Sequence, residues 1–272
     1  MDILDRIIAK KLYGDGGGNS GGGDGGADSS AADGIVDRTI SGSYVNGDAA
    51  SVGNYVFQDC KDLTEANFPA AKSIGKYAFA YCTALTEANI PAATSIGAYA
   101  FYECRALTKA NFPVAISIGD YAFQTCGKLT EANFPVATSI GAYAFKSCVA
   151  LTEANIPAAR SIGNSAFYQC FSLTKVNFPV ATSIGTSAFY QCSRLTEVIL
   201  RGATRCTLGN TTALAQTPIA SGTGYIYVPA ALVEEYKAAT NWSTYADQFR
   251  ALEDYTVDGT TTGELDPDKT GV

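Results

Sequence analysis

Two residue types keep step through most of this sequence. Cys60, Cys82, Cys104, Cys126, Cys148, Cys170 and Cys192 follow one another at intervals of 22, and so do Phe57, Phe79, Phe101, Phe123, Phe145, Phe167 and Phe189. The 22-residue string L-T-E-A-N-F-P-A-A-K-S-I-G-K-Y-A-F-A-Y-C-T-A, residues 63–84, returns with small changes five more times before Arg194, without an insertion. A fixed period of this length, with apolar positions locked in phase, specifies a solenoid in which each coil buries its apolar face on its neighbours. One coil alone cannot fold.

Within a coil, Leu63, Ala66 and Phe68 have the spacing of a short strand whose inward residues alternate and whose first residue turns the corner. Thr64, Glu65 and Asn67 then face water. Pro69, which recurs at Pro91, Pro113, Pro135, Pro157 and Pro179, has no N–H and ends the strand. Ser73-Ile74-Gly75 reads as a second short extended piece. Its glycine, repeated at Gly97, Gly119, Gly141, Gly163 and Gly185, is expected either at positive φ or where two backbones approach closely. Tyr77-Ala78-Phe79 through Cys82 is expected to make a short helical or 3-10 return, which gives an α/β repeat solenoid. Coils stacked by strand pairing rise by about 4.8 Å each.

The ordered string L-T-x-A-N-[FI]-P followed by S-I-G-x-x-A-F-x-x-C, over residues 51–200, resembles the BspA-like subgroup of leucine-rich repeats, with coils one residue shorter than its commoner form. The resemblance implies a parallel sheet on the concave side. It also implies surface or secreted recognition roles, in bacteria or their phages, without a catalytic site.

Composition closes off several functions. The chain of 272 residues is 47% apolar and carries 19 basic against 26 acidic side chains, a net charge of −7, so a nucleic-acid backbone is not an expected partner. No run of apolar residues is long enough to span a membrane. There is no histidine, which removes the usual general base, the usual zinc ligand and every Ser-His or Cys-His nucleophile arrangement. No cofactor and no metal site are expected. The Gly-rich and tail segments imitate calcium loops only in part; Asp266 and Asp268 lack the closing glutamate.

Six stretches follow in chain order. Residues 1–13 place Ile3, Leu4, Ile7, Ile8 and Leu12 on one helical face, an amphipathic helix rather than a signal peptide, suited to self-association or anchoring. Residues 14–34, glycine-rich and without a large apolar side chain, form a linker. Residues 35–62 make an irregular first coil, 63–200 the leucine-rich repeat solenoid, 201–254 a C-terminal cap and 255–272 a flexible tail. In the cap Tyr225 to Val228 reads as a strand. Pro229 to Ala239 and Thr244 to Leu252 read as helices, with Leu232, Val233, Tyr236 and Trp242 covering the last coil. The coil register is expected to fail after Leu200.

Three features could carry chemistry. The seven in-phase cysteines form a line, whereas metal or redox chemistry needs ligands converging on a point, so buried structural thiols are expected; Cys206, off the line, is the reactive candidate. Glu131 beside Glu153 has the spacing of a glycosidase carboxylate pair but stands on an open sheet rather than in a cleft, so no catalytic residue is expected. The third is the outward row of the first strand. It varies in charge through Glu65, Glu87, Lys109, Glu131, Glu153, Lys175 and Glu197, flanked by ladders of threonine and of asparagine that include Asn111, Asn133 and Asn155. Glu87 to Lys175 with those asparagines is the expected binding face for a protein or glycan, and the tyrosine-bearing return side at Tyr102, Tyr168 and Tyr190 is the other candidate. The reading is therefore a non-enzymatic recognition or adhesion protein, extracellular, on a cell surface or on a virion. The helix-plus-tether start leans toward a phage or prophage tail-associated host-binding protein; a secreted or cell-surface bacterial adhesin and a passive spacer are the alternatives.

Overall fold

The computed structural model describes residues 38–254 together with 256–257 and 260–261. The expected helix at 1–13, the linker at 14–34 and most of the tail at 255–272 lie outside the described residues. Each coil has three faces.

The first face stacks parallel strands in chain order: Ser41–Val45, Asp62–Asn67, Glu87–Asn89, Lys109–Asn111, Glu131–Asn133, Glu153–Asn155, Lys175–Asn177, Glu197–Ile199, Tyr225–Val228 and Phe249–Ala251. Equivalent residues stand opposite one another, as in Glu131↔Glu153 and Asn133↔Asn155. This register is the period itself, since a slip by one residue would turn Ala132 and Phe134 out to solvent. The second face is one seven-stranded parallel sheet, from Ser73–Ile74 through Ser183–Ile184 to Thr207–Leu208, extended at its start by Val52 bridged to Ile74.

The third face is not helical, contrary to expectation. The amides of Ala78, Ala80 and Cys82 donate three residues back, to Gly75, Tyr77 and Phe79, while those of Tyr77, Phe79 and Tyr81 donate to Ala98, Ala100 and Tyr102 in the next coil. A helix would consume every amide internally. A run of tight turns leaves alternate amides for the neighbouring coil, and so this face also becomes a ladder. Left-handed residues make the turns possible: Tyr77 and Tyr81 have φ of 56° and 64°, and their equivalents repeat it coil after coil. Among the described residues, helix is confined to the C-terminal segment.

The core is a bundle of one-residue-wide rows. Successive Phe57, Phe79, Phe101 and Phe123 rings stack face to face at 5.1 Å, the leucine row from Leu63 to Leu195 is fully buried, and each in-phase cysteine from Cys82 to Cys192 donates its S–H to a backbone carbonyl, as in Cys82 Sγ donating to Phe57 O at 3.0 Å. The repeated glycine marks a close approach and not a positive φ. A Cβ on Gly141 would lie 2.6 Å from the amide nitrogen of Asp120 and from the carbonyl carbon of Gly119, inside the contact distance of any real side chain.

The ends depart from the period in different ways. At the start, Ser41–Val45 pairs with Asp62–Asn67 through a bulge at Gly42/Ser43, and Tyr44 packs on Phe57 and Phe68. At the other end the 22-residue register fails after Leu200, as expected, but the stacking of coils continues. Thr207 takes its place opposite Ser183, the Phe189 amide donates to Ala213, and Tyr225 pairs with Glu197. Two extra residues are absorbed before Thr207 and the solenoid runs on. The cap then begins with the 3-10 turn Ala230–Leu232 after Pro229 and the helix Val233–Ala238. The second expected helix is instead a 3-10 stretch, Trp242–Gln248, leading into strand Phe249–Ala251. Tyr236 and Trp242 are buried, with Leu232 and Val233 packed at the margin. The cap is fastened at one residue: the Cys206 amide donates to Tyr236 Oη and the Trp242 indole donates to Cys206 O, both at 2.7 Å.

Candidate recognition face

The first face presents the candidate residues as one row. Glu87, Lys109, Glu131, Glu153 and Lys175 are exposed, as is Asn111, while Asn133 and Asn155 are half-buried. Lys109 Nζ lies 3.0 Å from the Glu131 carboxylate and Lys175 Nζ 4.0 Å from that of Glu197. At this exposure each such pair is worth about 0–1 kcal/mol.

The two flanking ladders are largely spent inside the solenoid. Thr86, Thr130 and Thr152 hydroxyls donate to the carbonyl of the threonine one coil earlier, at 3.0–3.2 Å. Asn89 Nδ2 donates to Asn67 Oδ1, Asn133 to Asn111 and Asn155 to Asn133, at 2.8–2.9 Å. Asn111, Asn133 and Asn155 therefore act first as rungs that hold the stack. The charged heads between the ladders are the part of this face that projects chemistry outward.

The face is also divided in a way that sequence reasoning missed. Its strands form three sheets, broken between Glu87–Asn89 and Lys109–Asn111 and again between Glu153–Asn155 and Lys175–Asn177. At the first seam the ladder thins to the Thr108 amide and hydroxyl, both 3.4 Å from Thr86 O, and at the second the equivalent Thr174 bond is absent. Phe68, Phe112, Phe134 and Phe178 donate their amides to the next coil at 2.9–3.0 Å, whereas Ile90 and Ile156, which take the same place, do not. The asparagine ladder stops at the same places, and Asn177 Oδ1 is buried without a partner. The second and third faces cross both seams intact, through Ser95↔Ser117 and Ser161↔Ser183 and through the Phe101 and Phe167 amides. The signal was in the sequence as a three-coil period. Outward Glu65, Glu87, Lys109 return as Glu131, Glu153, Lys175, and inward Phe68, Ile90, Phe112 return as Phe134, Ile156, Phe178.

Glu131 and Glu153 do stand side by side. Both are exposed on the open sheet and Glu131 is ion-paired with Lys109, so neither stands in the sheltered cleft of a catalytic carboxylate pair.

All eight cysteines are free thiols and buried. Cys206 is among them at 1% exposure, a correction to its expected reactivity: the cap side chains Tyr236 and Trp242 close over it, and burial pushes its pKa up to about 12. Burial likewise raises the thiol pKa of Cys82, Cys104, Cys126, Cys148 and Cys170.

Parallel coils of constant length, inward leucine, phenylalanine and cysteine rows and an exposed strand face define a leucine-rich repeat solenoid. The family model described as "BspA type Leucine rich repeat region" matches in six copies over residues 50–160 and 116–221. The chain belongs to the BspA-type leucine-rich repeat family. The chain is similar, at low identity, to several solved structures. The leucine-rich repeat protein of T. pallidum is 21% identical, with a TM-score of 0.49 over 67% of this chain and 83% of that one. A leucine-rich repeat protein from Bacteroides ovatus is 17% identical, with a TM-score of 0.40 over 80% and 71%. A leucine-rich cell surface protein from Faecalibacterium prausnitzii is 16% identical, with a TM-score of 0.31 over 75% and 82%. No curated protein matches the chain.

Proposed function

We propose that this protein is a non-enzymatic recognition and adhesion module that presents the charged row from Glu87 to Lys175 to a protein or glycan at a cell or particle surface. The observation that carries this reading is the contrast between neighbouring rows. The threonine and asparagine ladders hold the coils together, while Lys109 and Lys175 break a line of glutamates on the open strand face. A passive spacer has no need of that variation. Catalysis has no shelter on such a face, since general acid–base chemistry depends on a cleft that shifts a pKa.

The segment 1–13, with its apolar stripe, and the linker 14–34 are read as a device that joins copies of the solenoid or fastens it to a particle, because a helix of that length is marginal alone. This arrangement suits a phage or prophage tail-associated host-binding protein, and equally a surface-held bacterial adhesin.

The test is Lys109→Glu with Lys175→Glu, assayed for binding to arrayed bacterial surface glycans and extracellular-matrix proteins alongside a thermal melt. Lost binding with a melt within a few degrees of the parent supports the charged row. Binding that survives the double reversal contradicts it. Removing residues 1–34 is expected to leave a folded monomer, and a full-length chain that is itself monomeric at high concentration removes the self-association reading.

A further inference from the structure

The third face carries a row that none of the preceding argument uses. Tyr55, Tyr77, Tyr99, Tyr121 and Tyr143 stack ring on ring, with centroids 5.2, 4.5, 4.5 and 4.7 Å apart and planes within 12°. All five are half-buried, so the row is open to solvent along one edge. Burial, with the neighbouring phenol of Tyr121, raises the Tyr99 pKa, and the stacking sets the hydroxyls side by side along that edge.

The backbone does not require tyrosine there. Every one of the five sits in the left-handed region, φ 56–64°, where a bulky side chain is disfavoured. At the next two coils the same place is held by Ser165 and Ser187, at φ 53° and 52°, with no change in the turn. Tyrosine is thus a choice of side chain, confined to the first five of these seven positions. Further aromatic groups gather on this face: Tyr102 lies edge-on to Tyr99 and to Tyr81, and Lys146 bridges the rings of Tyr143 and Tyr168 at 5.4 and 5.3 Å.

We propose that this tyrosine ladder is a binding track for an extended, neutral, β-linked glycan. Spacing selects the partner. An extended peptide advances about 3.3 Å per residue and falls out of step with the rings within a few rungs. A β-linked pyranose chain advances by close to one coil per sugar, so each phenol can give or accept one hydrogen bond to successive sugars along the row. Amphipathic tyrosine suits this task, since its ring edge meets the sugar C–H surface while its hydroxyl meets the sugar hydroxyls. The track lies on a different face from the charged row and stands or falls separately from it.

The full-length chain is titrated with cello- and chito-oligosaccharides, from disaccharide to hexasaccharide, followed by calorimetry and by the tyrosine ring signals in NMR. Affinity is expected to rise with length and level off at the pentasaccharide, one sugar per ring. Tyr99→Phe with Tyr121→Phe keeps the stack and removes two hydroxyls; it is expected to weaken the pentasaccharide about tenfold. Tyr99→Ser with Tyr121→Ser, which the turn accommodates at Ser165 and Ser187, is expected to abolish the length dependence. Glu234→Gln, on the cap and in neither row, is the control and is expected to leave oligosaccharide affinity unchanged, and the tyrosine variants leave the charged row untouched, so a failure of the row and a failure of the ladder are told apart. The proposal is overturned if no oligosaccharide binds, if both tyrosine variants bind like the parent, or if sedimentation shows that the ladder variants dissolve a dimer while glycan binding persists.

Discussion

Lys109 reaches forward along the solenoid to Glu131, 3.0 Å away, and among the described residues no ion pair joins it back to Glu87. The asymmetry follows the break in the first face, which falls between the strands of Glu87 and Lys109. The charged row is therefore cut into three units, the second and third beginning with lysine, and each cut coincides with an inward isoleucine, Ile90 at the first and Ile156 at the second.

The seams have a direct consequence for exchange. The amides of Ile90 and Ile156 lack the inter-coil bond that Phe112 and Phe134 make. One such bond contributes about 1 kcal/mol, so these two amides are expected to exchange about fivefold faster than their phenylalanine counterparts. Residue-resolved hydrogen exchange checks this, and equal protection at all four positions contradicts the division of the face.

Burial of the thiols is readily tested. With every cysteine, Cys206 included, enclosed by the coils or the cap, a thiol reagent is expected to label none of them in the native protein and all of them in denaturant. Labelling of Cys206 alone without denaturant would show that Tyr236 and Trp242 do not hold the cap closed.

The same burial predicts sensitivity to alkali. Desolvation raises the folded-state pKa of Cys82, Cys104, Cys126, Cys148 and Cys170, and that of Cys206 to about 12. A thiol raised in this way stabilises the fold in full below its unfolded pKa of about 8.5, and that contribution is lost as pH rises toward the folded value. Each thiol can remove up to about 1.4 kcal/mol per pH unit in that window. Melting temperature is expected to be level from neutral pH to about 8 and to fall steeply above it. A flat profile into the alkaline range contradicts buried, protonated thiols.

Glycine at the second corner is a requirement of packing. Gly141→Ala would press a methyl group against the Asp120 amide at 2.6 Å, and separating the coils to admit it is expected to cost about 1–3 kcal/mol. Gly127→Ala, where a Cβ meets nothing within 4 Å, is the control. Urea unfolding of the two variants measures the difference.

The coil, its inward rows and the proline stops were legible in the sequence because each depends on one residue type recurring at one spacing. The third face was not. Y-A-F-x-x-C has apolar residues at short intervals that a helix could equally bury, and only the stacking shows that alternate amides bond to the next coil. Left-handed tyrosine is also a poor guess from composition, since glycine and asparagine are the usual occupants. The continuation past Leu200 was hidden by its extra residues, two before Thr207 and four more before Tyr225, and by polar threonines. For the candidate face, the charged row could be read directly, but the threonine and asparagine ladders look alike whether they bond to one another or to a partner. The seams were readable at Ile90 and Ile156, through a period three coils long rather than one.

The central claim is that the charged row on the first face is where a partner binds. Carbodiimide footprinting of the surface carboxylates tests it most directly, comparing the free chain with the chain bound to whichever arrayed glycan or matrix protein retains it. A partner seated on that row is expected to abolish labelling at Glu87, Glu131 and Glu153, which are exposed on the strand face, with Glu234 and Glu235 of the cap labelled as before. Unchanged labelling of those three glutamates in the bound state, with protection elsewhere, would contradict it.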